Sequence, residues 1–159
     1  LIASAILDRL NQDLIRDFQK VKNQNGMDIA LCIVDREKMH LQYAGACSPI
    51  YILREGSLIQ VKPDRIAIGT TVAGKIRNYT NQEIPLNTGD TVYMFSDGFA
   101  DQIGGELEDK FMYNRFRALL TEIGCESMEN QAALLERHFT EWKGNCEQLD
   151  DILIIGFKI

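Results

Sequence analysis

Three carboxylates in this sequence are spaced so that they could together hold a divalent metal ion. Residues 91–96 form a short apolar run that Asp97 follows directly, so a carboxylate stands at the predicted end of a buried strand. Asp101 comes one helical turn later, and the last predicted strand opens with the pair Asp150 and Asp151, which a second apolar run follows. If the two runs pair as antiparallel strands, the end of the first lies beside the start of the second. The three carboxylates would then converge, and oxygen donors without nearby His or Cys favour Mg²⁺ or Mn²⁺.

Each of these carboxylates also has a purely structural explanation. Asp97 and Gly98 form one of the commonest turn pairs, and Asp101 could be a solvated carboxylate at a helix start. Asp150 and Asp151 could instead protect an edge strand by their charge. From the residue types and their spacing, both explanations stay open.

The elements that must position these residues can be predicted from hydrophobic periodicity. Helices are predicted at 3–20, 110–122 and 128–142, and strands at 28–35, 39–45, 49–54, 57–61, 79–84, 91–96 and 151–158. The first helix is predicted to break at 23–26, and residues 62–78 show no period and are predicted to be loop. Because strands and helices come in blocks rather than alternating, the fold class is α+β with antiparallel sheets.

Composition excludes several classes of protein. A chain of 159 residues that is 45% hydrophobic is expected to form a single domain over residues 1–159. Its formal charge of −6 is unsuited to nucleic acid, and no apolar run is long enough to cross a membrane, so no membrane contact by this segment is expected. The four cysteines show no C-x-x-C spacing, which favours reduced thiols in apolar surroundings and a cytoplasmic protein.

Several segments together resemble one protein family. Residues 86–105 (LNTGDTVYMFSDGFADQIGG) resemble the late metal motif of bacterial SpoIIE-type serine phosphatases, which are metal-dependent relatives of protein phosphatase 2C. Residues 25–35 (NGMDIALCIVD) resemble the family's central strand, and residues 43–54 (YAGACSPIYILR) resemble its Ala-Gly hairpin. Residues 141–144 (EWKG) and 148–156 (QLDDILIIG) resemble its closing helix and strand.

The resemblance implies a fold, an activity and a set of site residues. The implied fold is an antiparallel β-sandwich flanked by helices, and the implied reaction is hydrolysis of phosphoserine or phosphothreonine in a protein with two Mn²⁺ or Mg²⁺ ions. The family pattern makes Asp97 and Asp150 metal ligands and lets Asp101 orient a water molecule or a weakly bound extra ion. The expected substrate resembles a phosphorylated anti-sigma-factor antagonist. Three further residues are expected to line the site: Gly98, Asp151 and Asp28.

The same resemblance also predicts what is missing. No segment like the family's two N-terminal acidic motifs precedes Leu1, so the sequence is expected to be the C-terminal part of a catalytic domain, truncated at its N-terminus. Residues 1–159 alone are then expected to be weakly active or inactive. The alternative is a non-catalytic fragment or protein-binding module with an incomplete metal site. A sheet that lacks strands exposes an edge, so a homodimer is also expected.

Overall fold

The structure, a computed structural model, describes residues 1–21, 26–72 and 74–159. The predicted helix break at 23–26 lies largely outside these described residues, as does residue 73 of the predicted loop. None of the helices in the described part of the chain combines the length and the apolar character needed to cross a membrane.

The helices and strands follow one another in the order that the sequence predicts. Helix α1 is Ala3–Val21, and it is followed by β1 (Ile29–Asp35), β2 (His40–Ala46), β3 (Ile50–Arg54), β4 (Ser57–Val61), β5 (Gln82–Pro85) and β6 (Thr91–Phe95). The remaining elements are α2 (Gly98–Asp101), β7 (Ile103–Gly104), β8 (Asp109–Lys110), α3 (Met112–Ile123), α4 (Met128–Lys143) and β9 (Ile154–Lys158). The strand pairs β1–β2, β2–β5, β6–β9 and β7–β8 are all antiparallel, which confirms the α+β class.

Two strands begin three residues later than predicted, because backbone N–H groups at their predicted starts donate to side chains instead of to a neighbouring strand. Strand β5 begins at Gln82 rather than 79, since the backbone N–H of Tyr79 donates to Asp8 Oδ1 at 2.7 Å. Strand β9 begins at Ile154 rather than 151, since the backbone N–H of Leu153 donates to a side-chain oxygen at 2.9 Å. The short elements α2, β7 and β8 were not predicted at all.

The contacts among the described residues group them into two compact units. The first unit is residues 1–50 with 61–88, and the second is residues 51–60 with 89–159. The expectation of a single domain over residues 1–159 stays a prediction.

The first unit contains a sheet with the strand order β1-β2-β5 and the long helix α1. Ala3 and Leu7 on one face of α1 are buried together with Ala44, Ala46 and Ile68. Two cysteines of this unit differ in environment: burial raises the pKa of the Cys32 thiol to about 12, whereas Cys47 is exposed. Cys125 of the second unit is exposed as well.

The second unit contains a sheet with the strand order β4-β3-β6-β9, together with α2, α3, α4 and the β7–β8 hairpin. An aromatic cluster fills its core, in which Phe99 of α2 packs on Phe116 of α3 with ring centroids 5.0 Å apart. Phe95 at the end of β6 lies 4.7 Å from Tyr51 of β3 by the same measure. The core thus fixes α2 and the end of β6, which are the elements that carry the predicted site.

Candidate functional site: a carboxylate corner at the ends of two strands

The pairing of β6 with β9 sets the geometry of the candidate site. Thr91 lies opposite Lys158 and Phe95 opposite Ile154, so the end of β6 lies beside the start of β9. This confirms the antiparallel pairing predicted from the two apolar runs. The chain segment that carries Asp97 therefore lies next to the segment that carries Asp150, although 53 positions separate the two residues in the sequence.

Ser96 joins the two segments just beyond the paired strands. Its backbone N–H donates to the carbonyl oxygen of Leu153 at 2.9 Å. Its hydroxyl donates to the carbonyl oxygen of Asp151 at 2.9 Å and accepts a hydrogen bond from the N–H of Leu153 at 2.9 Å. This positioning role of Ser96 was not predicted from the sequence. The available signal was its place between the last strand residue and Asp97.

Gly98 is required by the close approach of the same two segments. A Cβ atom at this position would lie 2.5 Å from the carbonyl oxygen of Asp151, a distance that real Cβ atoms do not reach. Gly98 therefore lets the backbone after Asp97 pack directly on the backbone before β9. This contact explains the glycine at position 98 by packing against the backbone of Asp151.

Asp97 and Asp101 lie at the two ends of the one-turn helix α2. Asp97 is the N-cap residue, but its side chain makes no capping hydrogen bond and is exposed. The N–H of Asp101 donates to the carbonyl oxygen of Asp97 at 2.9 Å, which places the two residues one helical turn apart. Asp101 Oδ1 lies 3.2 Å from the ammonium nitrogen of Lys110, a cation that sequence reasoning missed.

Asp150 and Asp151 lie in an irregular segment ahead of β9, and both are exposed. Asp150 Oδ1 accepts a hydrogen bond from the N–H of Asp151 at 2.7 Å, and the Asp150 carbonyl oxygen accepts one from the Gln148 amide at 2.8 Å. These local bonds fix the backbone of Asp150. The second carboxylate oxygen of Asp150 makes none of them.

We define the carboxylate corner as Asp97, Asp101, Asp150 and Asp151 on these adjoining segments. Exposed carboxylates on two neighbouring strand ends suit Mg²⁺ or Mn²⁺, which prefer oxygen ligands and retain bound water. Within residues 1–21, 26–72 and 74–159, however, no three His, Cys, Asp or Glu side chains are grouped so that they could hold a metal ion. The residues present fit part of a metal site, and the assignment of Asp97, Asp101 and Asp150 as ligands stays a prediction.

A comparison with protein-family models identifies the family to which the chain belongs. The family model of Stage II sporulation protein E (SpoIIE) matches residues 1–159. The chain belongs to the SpoIIE family. None of the curated proteins matches it.

Solved structures of SpoIIE-like phosphatase domains have the same fold. The SiaA-PP2C domain of Pseudomonas aeruginosa is 33% identical with a TM-score of 0.89, over 99% of this chain and 61% of that chain. The phosphatase domain of the cell fate determinant SpoIIE from Bacillus subtilis is 14% identical with a TM-score of 0.61, over 98% of this chain and 72% of that one. The RsbU and RsbW domains of a Mycobacterium tuberculosis protein are 17% identical with a TM-score of 0.70, over 91% of this chain and 39% of that one.

These matches confirm the predicted protein phosphatase 2C-like fold, with helices flanking antiparallel sheets. The SpoIIE family is a family of serine phosphatases, so the chain has a phosphatase fold. It spans 61% of the length of the Pseudomonas aeruginosa domain that it matches.

Asp28 is the one predicted site residue that lies in the first unit rather than the second. It precedes β1 and follows Met27, which exchanges backbone hydrogen bonds of 3.0 and 2.9 Å with Ile68. Burial raises the pKa of the Cys47 thiol, and the nearby Asp28 carboxylate raises it further. Asp28 thus has a neighbour in its own unit, and a role for it in a SpoIIE-type site stays a prediction.

Proposed function

We propose that these residues belong to a metal-dependent protein serine/threonine phosphatase that hydrolyses phosphoserine or phosphothreonine in a protein. One observation carries the proposal: in a chain of the SpoIIE family, the β6–β9 register places Asp97 beside the segment of Asp150. Ser96, Gly98 and several backbone hydrogen bonds hold these two segments side by side. A simple surface turn would not need them.

In this proposal Asp97 and Asp150 hold Mn²⁺ or Mg²⁺ through their exposed carboxylates. When bound, such an ion supplies Lewis-acid chemistry, by which it polarises a phosphoryl oxygen and lowers the pKa of a water molecule. Ser96 and Gly98 position the two ligand segments by tying them together through backbone contacts. Asp101, one turn from Asp97, accepts a hydrogen bond from a water molecule and so orients it.

We propose a phosphorylated regulatory protein as the substrate, similar to an anti-sigma-factor antagonist. The support is that one similar structure contains RsbU and RsbW domains together and another is described as a cell fate determinant. A chain with a formal charge of −6 is a poor partner for nucleic acid, which agrees with a protein substrate. A cytoplasmic location and a homodimer stay predictions, and light scattering of the purified protein would test the second.

The experiment is a phosphatase assay on the full-length protein that contains these residues. With Mn²⁺ present, we expect it to release phosphate from a phosphoserine peptide, and Asp97→Asn to abolish this release. Asp13→Asn on α1 is the control, because Asp13 lies in the first unit and pairs with Arg9 and Arg16 of its own helix.

Two outcomes would contradict the proposal. Equal activity of the wild type and Asp97→Asn would remove the carboxylate corner from the reaction. No activity of the full-length protein with either metal would favour the alternative, a non-catalytic protein-binding module with an incomplete metal site. We expect residues 1–159 alone to bind Mn²⁺ weakly and turn over little, because two or three carboxylates are too few to hold a pair of ions.

A further inference from the structure

The β7–β8 hairpin, residues 103–110, is anchored at its base by the buried residue Gln102. The carbonyl oxygen of Gln102 accepts hydrogen bonds from the N–H of Phe111 at 2.9 Å and from the indole N–H of Trp142 at 3.1 Å. Its side-chain amide donates to the carbonyl oxygen of Glu147 at 2.9 Å. The two ends of the hairpin are therefore tied to each other and to the end of α4.

Trp142 also fixes the first strand of the hairpin. A Cβ atom at Gly104 would lie 1.9 Å from the Trp142 carbonyl oxygen, which instead accepts a hydrogen bond from the N–H of Gly105 at 2.8 Å. Phe111 packs edge-on against the indole at 5.3 Å between centroids, and the Arg115 guanidinium lies 4.5 Å from the ring centroid. Gly104 and Gly105 therefore pack tightly against Trp142, and the hairpin is held in place.

Lys110 is the last residue of this hairpin, and its side chain reaches Asp101 of the carboxylate corner. Its ammonium nitrogen lies 3.2 Å from Asp101 Oδ1, while 51% of the lysine side chain and 43% of the aspartate side chain remain exposed. An ion pair this exposed contributes little to stability. The ion pair of Lys110 therefore adds little to the stability of the fold, although Gln102 and Trp142 hold the hairpin that carries this lysine in a fixed position.

We propose that Lys110 binds a phosphoryl oxygen of the substrate. The inference rests on the proposed phosphatase function, in which a phosphate dianion must approach the site beside Asp101, whose carboxylate repels it. An ammonium group has three N–H donors, and the bond to Asp101 uses one of them. The donors that remain can hold the dianion beside Asp101 while the lysine charge offsets the repulsion.

The test compares Lys110→Gln and Lys110→Arg in the full-length protein. Lys38→Gln is a matched control, because Lys38 forms a similar exposed ion pair with Asp35 at 3.4 Å in the first unit. For Lys110→Gln we expect KM for a phosphoserine peptide to rise about 10-fold with kcat within about 2-fold, as for a lost charge-assisted hydrogen bond. Lys110→Arg should restore most of the affinity, and Lys38→Gln should match the wild type.

A second readout, calorimetric titration with inorganic phosphate in the presence of Mn²⁺, separates this proposal from the proposed function. We expect the phosphate Kd to rise about 10-fold in Lys110→Gln and to be unchanged in Lys38→Gln. If the wild type hydrolyses no phosphopeptide, the phosphatase proposal fails, and the titration alone decides whether Lys110 binds phosphate. Unchanged KM and unchanged phosphate Kd in Lys110→Gln would overturn the role of Lys110.

Discussion

The two ends of strand β6 carry aspartates that the protein treats in opposite ways. Asp90 precedes the strand and is 1% exposed, and its carboxylate accepts hydrogen bonds from Arg54 Nε at 3.0 Å and Arg54 Nη2 at 2.6 Å. This hydrogen bonding raises the pKa of the Arg54 guanidinium. Asp97 follows the strand, is exposed and makes no capping hydrogen bond.

The difference separates a carboxylate with a structural role from one that we propose to be functional. A buried carboxylate must be paired inside the protein, because an unpaired buried charge would cost several kcal/mol. The cation for Asp90 is therefore part of the chain. Asp97 has no such requirement, and its place beside Asp150 leaves it available to a cation from solution.

The largest effect should come from removing the charge at the functional end. In Asp97→Asn we expect phosphatase activity to fall by more than about 100-fold, since even residues that only support metal ligands cost 10- to 100-fold. The free energy of unfolding should change by less than about 0.5 kcal/mol, as for other exposed positions. Activity assays and urea unfolding on the same preparation would check both, and a large loss of stability would contradict the comparison.

The second effect distinguishes the neighbouring aspartates of the β9 segment. Asp150→Asn should lower activity about 100-fold, whereas Asp151→Asn should lower it by less than about 5-fold, because Asp151 contributes its carbonyl oxygen rather than its carboxylate. The asparagine at 150 keeps the oxygen that accepts from the N–H of residue 151. Equal losses in the two variants would show that the ligand has been assigned to the wrong residue.

The structural end of β6 should respond in stability instead. Asp90→Asn removes the negative charge that Arg54 binds at 2.6 Å, and we expect the free energy of unfolding to fall by about 2 kcal/mol. This is below the 3–5 kcal/mol of a fully buried pair, because 26% of the Arg54 side chain is exposed. Urea unfolding measures this loss. The folded variant should keep its kcat, so a loss of kcat without a loss of stability would reverse the assignment of the two ends.

The middle of β6 should show the smallest effect, and only in alkaline solution. Burial raises the pKa of Tyr93, whose hydroxyl donates to Gln131 Oε1 at 2.8 Å, to about 12. Because this folded pKa lies above the unfolded value of about 10, the stabilising effect is complete below pH 10 and is lost as the pH rises towards 12. At pH 11 the loss is about 1 kcal/mol.

The matched variant for this pH effect is Tyr93→Phe. It should be less stable than the wild type by about 1 kcal/mol at pH 7, because Gln131 loses a partner. It should also lose less stability than the wild type between pH 10 and 12. Parallel pH profiles of the two proteins would contradict the role assigned to Tyr93.

The sequence predicted the strand that leads to Asp97 better than the burial of Asp90. Alternation and turn residues are local signals, so the strand at 91–96 could be inferred directly, whereas its antiparallel pairing with the last strand entered only as a condition. Asp90 received no role from the sequence, because nothing local indicates that Arg54 of another strand lies beside it. Its burial depends on strand order, which a single sequence does not specify.

The β7–β8 hairpin was missed for a related physical reason. Its strands have two residues each, too few for a period, and they are fixed by contacts with Trp142 at the end of a distant helix. Lys110 had no visible role until that hairpin placed it at Asp101. The strands that carry the candidate site could be predicted from local patterns, whereas contacts that packing creates between distant segments could not.

The most direct test of this comparison is a Mn²⁺ titration by calorimetry on the full-length protein and two variants. We expect the wild type and Asp90→Asn, kept below its unfolding temperature, to bind Mn²⁺ with similar affinity. We expect Asp97→Asn to bind Mn²⁺ at least about 10-fold more weakly, since it lacks a charged ligand. Equal Mn²⁺ affinity in Asp97→Asn and the wild type would contradict the claim that the carboxylate corner holds the metal.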